Sequence, residues 1–343
     1  MITIIAEVGY YEPWWIQLLK ALVIFAVVFQ LVPVVLLAER KVLGRFQHRY
    51  GPNRVGPFGA LQPMADIGKL LFKQQFRPTG SIGWMFALAP VIVMVTASAT
   101  LALVPFSDTV DIFGTQVGLY GIDPSIGVLY AFMFGGMATY GVVLGGWSSG
   151  GKYAFLGSMR AAAQLISYEI SQALALVGVV MMAGSLSLTE IVHAQEGPGD
   201  LWYVIPQFVG FVIFLVAGFA ETNRPPFDLP EADAELVQGY ITEYGGGRFA
   251  AYFAAEYLEI IVVSALTVTF FLGGWNVPFV DPPTWVDPIV VILKTLALVF
   301  LFFWVRATLP RLRYDQLMSL GWKVFLPLAT LNALVTAILV VAF

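Results

Sequence analysis

The sequence predicts an all-α, polytopic membrane protein with about eight transmembrane helices, an interfacial amphipathic helix and an acidic cytoplasmic loop. Two observations carry this prediction. The chain of 343 residues is 59% hydrophobic with a mean hydropathy of +0.81, and a soluble domain of that length could not cover its surface with so few polar residues. Apolar runs of roughly 20 residues, the length that crosses a bilayer core about 30 Å thick, also recur along the whole chain.

Because the apolar runs recur along the whole chain, we expect a single membrane domain, residues 1–343. The stretch before the first run, EVGYYEPWW, is acidic and aromatic where a cleavable signal peptide would begin with basic residues. We therefore expect the first run to be retained as a span. The predicted spans are approximately 16–38, 82–105, 119–145, 158–188, 202–220, 249–273, 287–305 and 323–343.

Lysine and arginine alternate between the loops as the positive-inside rule describes. Eight lie in the loop after the first span, and eight more lie in or beside the connections after the third, fifth and seventh spans. The other three connections hold none, and Lys20 and Lys294 lie near outer helix ends, where long side chains reach the interface. We therefore expect the odd-numbered loops on the cytoplasmic side and both termini on the opposite side.

Residues that hold redox metals are scarce. The chain has no cysteine and two histidines, His48 and His193, both outside the predicted spans, whereas a haem, iron–sulfur or zinc site needs several such ligands at suitable spacing. No glycine-rich phosphate loop follows a strand, and no strand pattern is evident. We expect no metal, no redox cofactor and no nucleic acid to bind to this chain.

A basic loop, residues 39–81, joins the first two spans. Its second half, about residues 57–76, predicts an amphipathic helix in the membrane interface. Its first half contains RYGPNRVGPFG, in which two Gly-Pro pairs impose a fixed, irregular backbone. Attachment to anionic lipid would explain the charge but would not require this rigid segment, so a docking surface or ligand mouth is favoured. The apolar face of the predicted helix carries Leu61, Met64, Ala65, Leu71 and Phe72, and another face carries Asp66, Lys69 and Lys73.

Carboxylates inside the predicted spans are the second unusual feature. Glu169 lies in the fourth span, and Glu256 and Glu259 lie three apart on one face of the sixth. A carboxylate in the hydrocarbon zone is costly, faces the bundle interior and marks an ion or proton path by default. The alternative for each is a structural carboxylate bonded to a neighbouring hydroxyl. Lys294 is interpreted as an unpaired residue at a helix end rather than as a proton relay.

An acidic loop, residues 221–248, gathers more than a quarter of the 22 acids of the chain and contains Arg224. Its prolines exclude a regular helix across NRPPFDLP. A solvated surface is the usual reading of such a charge run, but the interspersed apolar residues provide surface for folding against the membrane domain. These apolar residues are Phe227, Leu229, Leu236, Val237, Tyr240 and Tyr244.

Two segments of the chain, AERKVLGRFQHRYGPNRVGPFGALQPMADIGKLLFK and AETNRPPFDLPEADAELVQGYITEYGG, closely resemble the signature segments of one family of membrane proteins. This is the family of the H subunit of proton-translocating NADH:quinone oxidoreductase, respiratory complex I. The resemblance covers essentially the full chain. It implies a membrane-arm component in a bacterial inner membrane, with both termini periplasmic, at the junction with the peripheral arm. Such a protein contributes to the quinone chamber and couples quinone reduction to proton translocation.

The resemblance also implies roles for particular residues. It assigns a proton path to Glu169, Glu221, Asp228, Glu231, Asp233, Glu235, Glu243 and Glu256. It assigns the quinone chamber or its entrance to Arg40, Arg49, Arg54, Asp66 and Arg224. Asp233 departs from the family pattern, in which glutamate is frequent at this place. The resemblance leaves open whether protons travel along the acids or whether their charge only moves the loop.

By the same resemblance, no complete catalytic site lies in this chain alone. Quinone is the substrate, and NADH, FMN and iron–sulfur clusters belong to partner subunits. The expected partners are the B and D subunits of the peripheral arm, the A, J and K subunits of the membrane arm, and membrane lipid. Two alternatives remain at this point: the membrane subunit of a related membrane-bound hydrogenase, and an independent cation/proton transporter. A purely structural anchor would give no reason for carboxylates inside the membrane.

Overall fold

The structure of the protein is a computed structural model that describes residues 14–112, 115–196, 201–230, 233–278 and 283–342. The helices are α1 Trp14–Phe46, α2 Gln62–Phe72, α3 Gly83–Leu101, α4 Gly127–Ser148, α5 Lys152–Ala183, α6 Leu188–His193, α7 Phe208–Glu221, α8 Asp233–Leu236, α9 Gly246–Phe271, α10 Asp287–Thr308, α11 Tyr314–Leu320 and α12 Leu326–Ala342. A π-helical turn, Gly321–Phe325, joins α11 to α12. Two short strands, β1 Thr109–Ile112 and β2 Thr115–Gly118, form an antiparallel hairpin.

The helix lengths confirm the prediction of an all-α polytopic membrane protein. Within the described ranges, α1, α3, α4, α5, α9, α10 and the continuous segment from α11 to α12 are long and apolar enough to cross a bilayer. The remaining predicted span, 202–220, corresponds to α7, which is apolar but has 14 residues, about 21 Å at 1.5 Å per residue. It begins later than predicted because residues 203–207 form turns, and Pro206 cannot donate a helical hydrogen bond.

Helix α9 lies at the centre of the bundle, where it packs against α1, α3, α7 and α10. Every residue from Ile260 to Phe271 is buried. The hydroxyl groups within this stretch bond to the backbone of the helix itself: that of Ser264 donates to the carbonyl of Ile260 at 2.7 Å, and those of Thr267 and Thr269 make the same i−4 bond. This central helix carries Glu256 and Glu259 into the interior.

Glycines on α4 allow it to approach its neighbours closely. A β carbon at Gly141 would lie 2.4 Å from Val93 Cγ2 of α3, and one at Gly146 would lie 2.4 Å from the carbonyl oxygen of Ala154 on α5. Small residues at such contacts are the usual basis of helix association in membranes, where lipid is as apolar as the side chains. Helix α4 is therefore held tightly between α3 and α5.

The structure differs from the sequence prediction at several boundaries. Helix α1 continues through Phe46, eight residues past its predicted end, so the start of the basic loop is helical. The interfacial helix is confined to Gln62–Phe72, because Pro57–Gly59 forms a 3-10 turn in which Phe58 has a φ of 53°.

No strand pattern was evident in the sequence, but the structure contains two short paired strands. Strands β1 and β2 pair antiparallel, with Thr109 opposite Gly118 and Ile112 opposite Thr115. Strands of four residues give too short an alternation for recognition in a sequence. The third span consequently begins at Gly127 rather than near residue 119.

The connections after α1, α4, α7 and α10 meet at one end of the bundle. The amide of Leu312 donates to the carbonyl of Pro226 at 3.0 Å. A β carbon at Gly246 would lie 3.0 Å from the carbonyl of Lys73, and one at Gly151 would lie 3.3 Å from Glu243 Oε1. The basic and acidic loops thus form one surface, beneath which the candidate site lies.

Candidate functional site

The acidic loop is folded onto the membrane helices. The side-chain amide of Gln164, on α5, donates to the carbonyl oxygens of Ala220 at 2.7 Å and Phe227 at 2.8 Å. The apolar residues singled out in the sequence are buried, with Tyr240 1% exposed, except for Val237, which is 58% exposed. A loop fixed by buried hydrogen bonds and side chains is not a freely solvated charge run.

A cavity of about 60 Å³ lies among α3, α4, α5, α7 and α9. Four carboxylates line it, and we call them the cavity carboxylates: Glu169 of α5, Glu221 of α7, and Glu256 and Glu259 of α9. A water molecule needs roughly 10–15 Å³ of such space, so the cavity can hold about four. The remaining wall is largely apolar. The arrangement provides a small polar chamber inside the bundle.

Two of the cavity carboxylates accept hydrogen bonds from neutral side chains. Gln172 Nε2 donates to Glu221 Oε2 at 3.0 Å, and the hydroxyl of Tyr240 donates to Glu256 Oε1 at 3.0 Å. Tyr240 belongs to the acidic loop and itself lines the cavity. The loop therefore forms part of the chamber wall, and its position affects a carboxylate inside the membrane.

A second group, the Glu39 cluster, consists of Glu39, Arg224, Tyr257 and Arg306. Glu39 is 2% exposed and accepts hydrogen bonds from the Tyr257 hydroxyl and from Arg306 Nη1. The Arg224 guanidinium lies 4.4 Å from the Tyr257 ring centre. Its Nη1 is 3.9 Å from Glu39 Oε1, and its Nη2 is 3.9 Å from Glu256 Oε2. Arg224 therefore bridges the Glu39 cluster and the cavity carboxylates.

Sequence reasoning missed Glu39 because the first span was predicted to end at residue 38. A signal was present: Val32, Val35, Leu36 and Glu39 recur at the spacing of one helix face, and all four are buried. Continuing the predicted helix by a single residue would have placed this carboxylate on the interior face. Arg306 and Tyr257 were likewise missed, because nothing in their local sequence indicates their partner.

The residues predicted for the quinone entrance fall into two groups. Arg40 Nη1 lies 2.6 Å from Asp66 Oδ2, which joins α1 to the interfacial helix α2, and the buried Arg224 lies near Glu39. Arg49 and Arg54 are exposed on the irregular segment before α2. Because Glu39 and Arg40 are adjacent, the end of α1 connects the interfacial helix with the buried cluster.

Three of the other acids predicted for the proton path, Asp228, Glu235 and Glu243, lie outside the cavity wall. Glu235, on α8, pairs with Arg160 Nη1 at 2.6 Å, and this hydrogen bond holds the pKa of Glu235 below its usual range. Glu243 lies against Gly151. Asp228 is half-buried, and Asp233 is the first residue of α8. Glu231 lies outside the described residues.

The interpretation of Lys294 as an unpaired residue was wrong. Its Nζ donates to the carbonyl oxygens of Leu272 at 2.8 Å, Gly274 at 2.8 Å and Asn276 at 2.6 Å, and lies 4.4 Å from the Trp202 ring centre. These carbonyls follow the last turn of α9, where a cation also interacts favourably with the helix dipole. Lys294 therefore caps the central helix.

A histidine cluster lies at the opposite end of the bundle from the acidic loop. His193 Nδ1 is 2.9 Å from Glu196 Oε2, and His193 Nε2 is 3.7 Å from Asp108 Oδ2. The indole of Trp275 donates to Glu196 at 2.7 Å. The hydrogen bond to Glu196 raises the pKa of His193 above its usual 6.5, assisted by the charges of Asp108 and Asp123 and opposed by burial.

The stabilisation provided by His193 is expected to decrease with rising pH. Because its folded-state pKa is the higher one, the contribution is fully present below the unfolded pKa and disappears as pH rises through the folded value. We expect His193→Gln to lower the thermal unfolding midpoint more at about pH 6 than at about pH 8.5. Glu196→Gln should remove most of this pH dependence. An equal effect of His193→Gln at both values would contradict the assignment.

The fold and site define a class: a polytopic membrane protein whose buried carboxylates line a cavity beneath a folded acidic loop. The chain belongs to the NADH dehydrogenase family, because the model of that family matches residues 19–337. It is similar to an H subunit of the NADH-quinone oxidoreductase of Geobacter metallireducens, with 52% identity over 94% of this chain and 95% of the relative. It is also similar to the H subunit of the same enzyme in Rhodospirillum rubrum, with 45% identity over 98% and 97% of the two chains.

Proposed function

We propose that this chain is the membrane subunit that couples quinone reduction to proton translocation in an NADH–quinone oxidoreductase. The observation that carries the proposal is the bridge made by Arg224, whose guanidinium lies 3.9 Å from both Glu39 and Glu256. Through it, the buried charges at the end of α1 adjoin carboxylates of the cavity. A change of charge at one group is therefore felt at the other, since interactions between buried charges are weakly screened.

The quinone end of this arrangement is the surface formed by α1, the irregular segment before α2, and α2 itself. The Arg40–Asp66 pair fixes α2 against α1, and large apolar side chains of this region are exposed, including Phe58 at 81% and Phe72 at 93%. Such a surface suits an amphipathic ligand that enters from lipid. Arg49 and Arg54 supply positive charge at its mouth.

The coupling follows from elementary chemistry. Reduction of a quinone to a quinol takes up two electrons and two protons and leaves the ligand neutral. When those protons are withdrawn from protein groups beside the Glu39 cluster, the charge of these groups changes until the protons are replaced. Carboxylates that interact strongly titrate as a coupled set, and Tyr240 links the acidic loop to Glu256. A change in the protonation of Glu256, or a movement of the loop, would therefore alter the protonation of Glu169 and Glu221, which line the same cavity.

The chain acts as one component of a larger enzyme rather than as a complete one. We assign NADH, FMN and the iron–sulfur clusters to partner subunits. The B and D subunits would bind on the side of the basic and acidic loops, and the A, J and K subunits would lie beside this chain within the membrane. The concentration of lysine and arginine at this end supports a cytoplasmic location for it in a bacterial inner membrane. The termini would then lie on the periplasmic side.

The relatives named in the comparisons favour this function over the alternatives. They are NADH-quinone oxidoreductase subunits with similarity over nearly the whole chain, rather than hydrogenase subunits. An independent transporter would have broken helices around a substrate site near the membrane midplane, whereas the segments on either side of the cavity, α5 and α9, are continuous.

Purification in a mild detergent tests the proposal. A tagged chain is expected to co-purify with peripheral-arm and membrane-arm subunits, and the preparation should reduce quinone with NADH. The purified chain alone should be inactive. Co-purification with hydrogenase subunits, or cation transport by the isolated chain in vesicles, would overturn the proposal.

A further inference from the structure

Two consecutive glycines on α4 lie against two of the cavity carboxylates. A β carbon at Gly135 would lie 3.2 Å from Glu221 Oε1, and one at Gly136 would lie 3.2 Å from Glu169 Oε1. Because neighbouring positions on a helix point about 100° apart, these glycines face two different helices, α7 and α5. Two adjacent residues of α4 without side chains therefore lie next to the Glu221 and Glu169 carboxylates.

These glycines differ from those that bring α4 close to its neighbours. At Gly141 and Gly146, an added β carbon would meet packed or backbone atoms of α3 and α5 at 2.4 Å. A β carbon added at Gly135 would have only the Glu221 carboxyl group within 4 Å, and one added at Gly136 only the Glu169 carboxyl group. This holds for the described residues outside α4. Alanine is the better helix former, so helix stability does not account for glycine at either position.

The space beside Gly135 belongs to the cavity, and Gly136 faces a carboxylate, Glu169, that lines it. Gly135 lines it together with Glu169 and Glu221. Contact at 3.2 Å is tight, so a methyl group would require the carboxylate to move by a few tenths of an ångström. It would also occupy room next to the carboxylate in a chamber large enough for about four water molecules. Glycine therefore affects both the position and the hydration of these groups.

We propose that Gly135 and Gly136 form a notch in α4 that positions the carboxylates of Glu169 and Glu221 and keeps water in contact with them. The inference rests on the proposed function, because it assigns the two glycines a positioning role in proton transfer. Proton transfer between carboxylates separated by water depends on an unbroken set of hydrogen bonds. A methyl group in the notch interrupts that set without removing a titratable group.

The first test compares Gly135→Ala, Gly136→Ala and the control Met137→Ala in the intact complex. Met137 is 44% exposed, lies outside the cavity wall and belongs to the same turn of α4. We expect both glycine variants to assemble and to lower coupled proton translocation roughly tenfold, since displacements of about 1 Å cost up to about a hundredfold in positioned reactions. Met137→Ala should behave as the wild type.

Paired substitutions distinguish positioning from packing. Glu169→Asp shortens the carboxylate facing Gly136, so it should restore activity partly to Gly136→Ala. It should not restore Gly135→Ala, whose partner is Glu221, and Glu221→Asp should show the opposite preference. The pH profile of coupled activity should shift in each alanine variant and return towards the wild type in each matched pair.

The outcomes separate this inference from the proposed function. Normal coupling in both alanine variants, while Glu169→Gln loses coupling, would overturn the notch alone. Loss of assembly in Gly136→Ala that Glu169→Asp does not relieve would assign the glycine to packing and also overturn it. Unchanged coupling in Glu169→Gln and Glu221→Gln would overturn the proposed function instead.

Discussion

Glu169→Gln and Glu221→Gln are each expected to abolish most proton translocation while the complex still assembles. Glutamine has nearly the same volume as glutamate and keeps a hydrogen-bonding group, but it cannot accept and release a proton. Loss of a positioned acid or base costs about 10² to 10⁴ in rate. NADH-driven quinone reduction should fall less than pumping, so that fewer protons are translocated per electron transferred.

The measurement is proton translocation per electron transferred, in sealed membranes that contain each variant. Asp315→Asn provides a matched control, because Asp315 is exposed, pairs with Arg313 and lies outside both the cavity wall and the predicted proton path; we expect at most a small change. A normal proton-to-electron ratio and a normal rate in both cavity variants would contradict the proton path. A normal ratio at a reduced rate would assign the two acids to a rate-limiting step before pumping.

Glu39→Gln is expected to destabilise the protein more than neutralisation of any cavity carboxylate. Glu39 is 2% exposed and accepts hydrogen bonds from Tyr257 and Arg306, while Arg224 lies within ion-pair distance. Breaking a buried ion pair by removing one partner costs about 3–5 kcal/mol, because the remaining charge is left uncompensated. We expect a lower thermal unfolding midpoint and less assembled complex.

Two further variants identify the cause of this loss. Arg306→Met should also be destabilising, but the double variant Glu39→Gln with Arg306→Met should lose less than the sum, because no isolated charge at that pair remains. Arg313→Ala breaks an exposed pair with Asp315 and should leave the thermal unfolding midpoint almost unchanged, because exposed ion pairs contribute little to stability. Glu39→Gln behaving like Arg313→Ala would contradict the role of the cluster.

The spans were predictable because a bilayer imposes a length and a polarity on every helix that crosses it. The capped end of α9, the length of α7 and the pairing of strands β1 and β2 were not. Lys294 lies 22 residues from Leu272, whose carbonyl it binds, and local sequence contains no information on which carbonyls will be exposed at a distant helix end. Short strands likewise depend on a partner strand more than on their own pattern.

The candidate site was predictable in part, for a related reason. Glu169 and Glu256 stood out because acids are rare inside spans, and the structure brings both to one cavity. Glu39 did not stand out, because it lies at the edge of its apolar run. The meeting of Glu39 with Arg306 joins residues 267 positions apart, and only the packing of α1, α9 and α10 determines it.

The position of Arg224 has a consequence for the kind of signal that crosses between the two groups of acids. An arginine side chain stays protonated at all physiological pH values and has no acceptor atom, so a proton cannot hop through it from Glu39 to Glu256. The guanidinium therefore blocks direct proton transfer between Glu39 and Glu256. Its positive charge still interacts electrostatically with both carboxylates. Quinone chemistry near Glu39 and proton movement near Glu256 would then be coupled by electrostatic interaction and not by the transfer of a proton from one to the other.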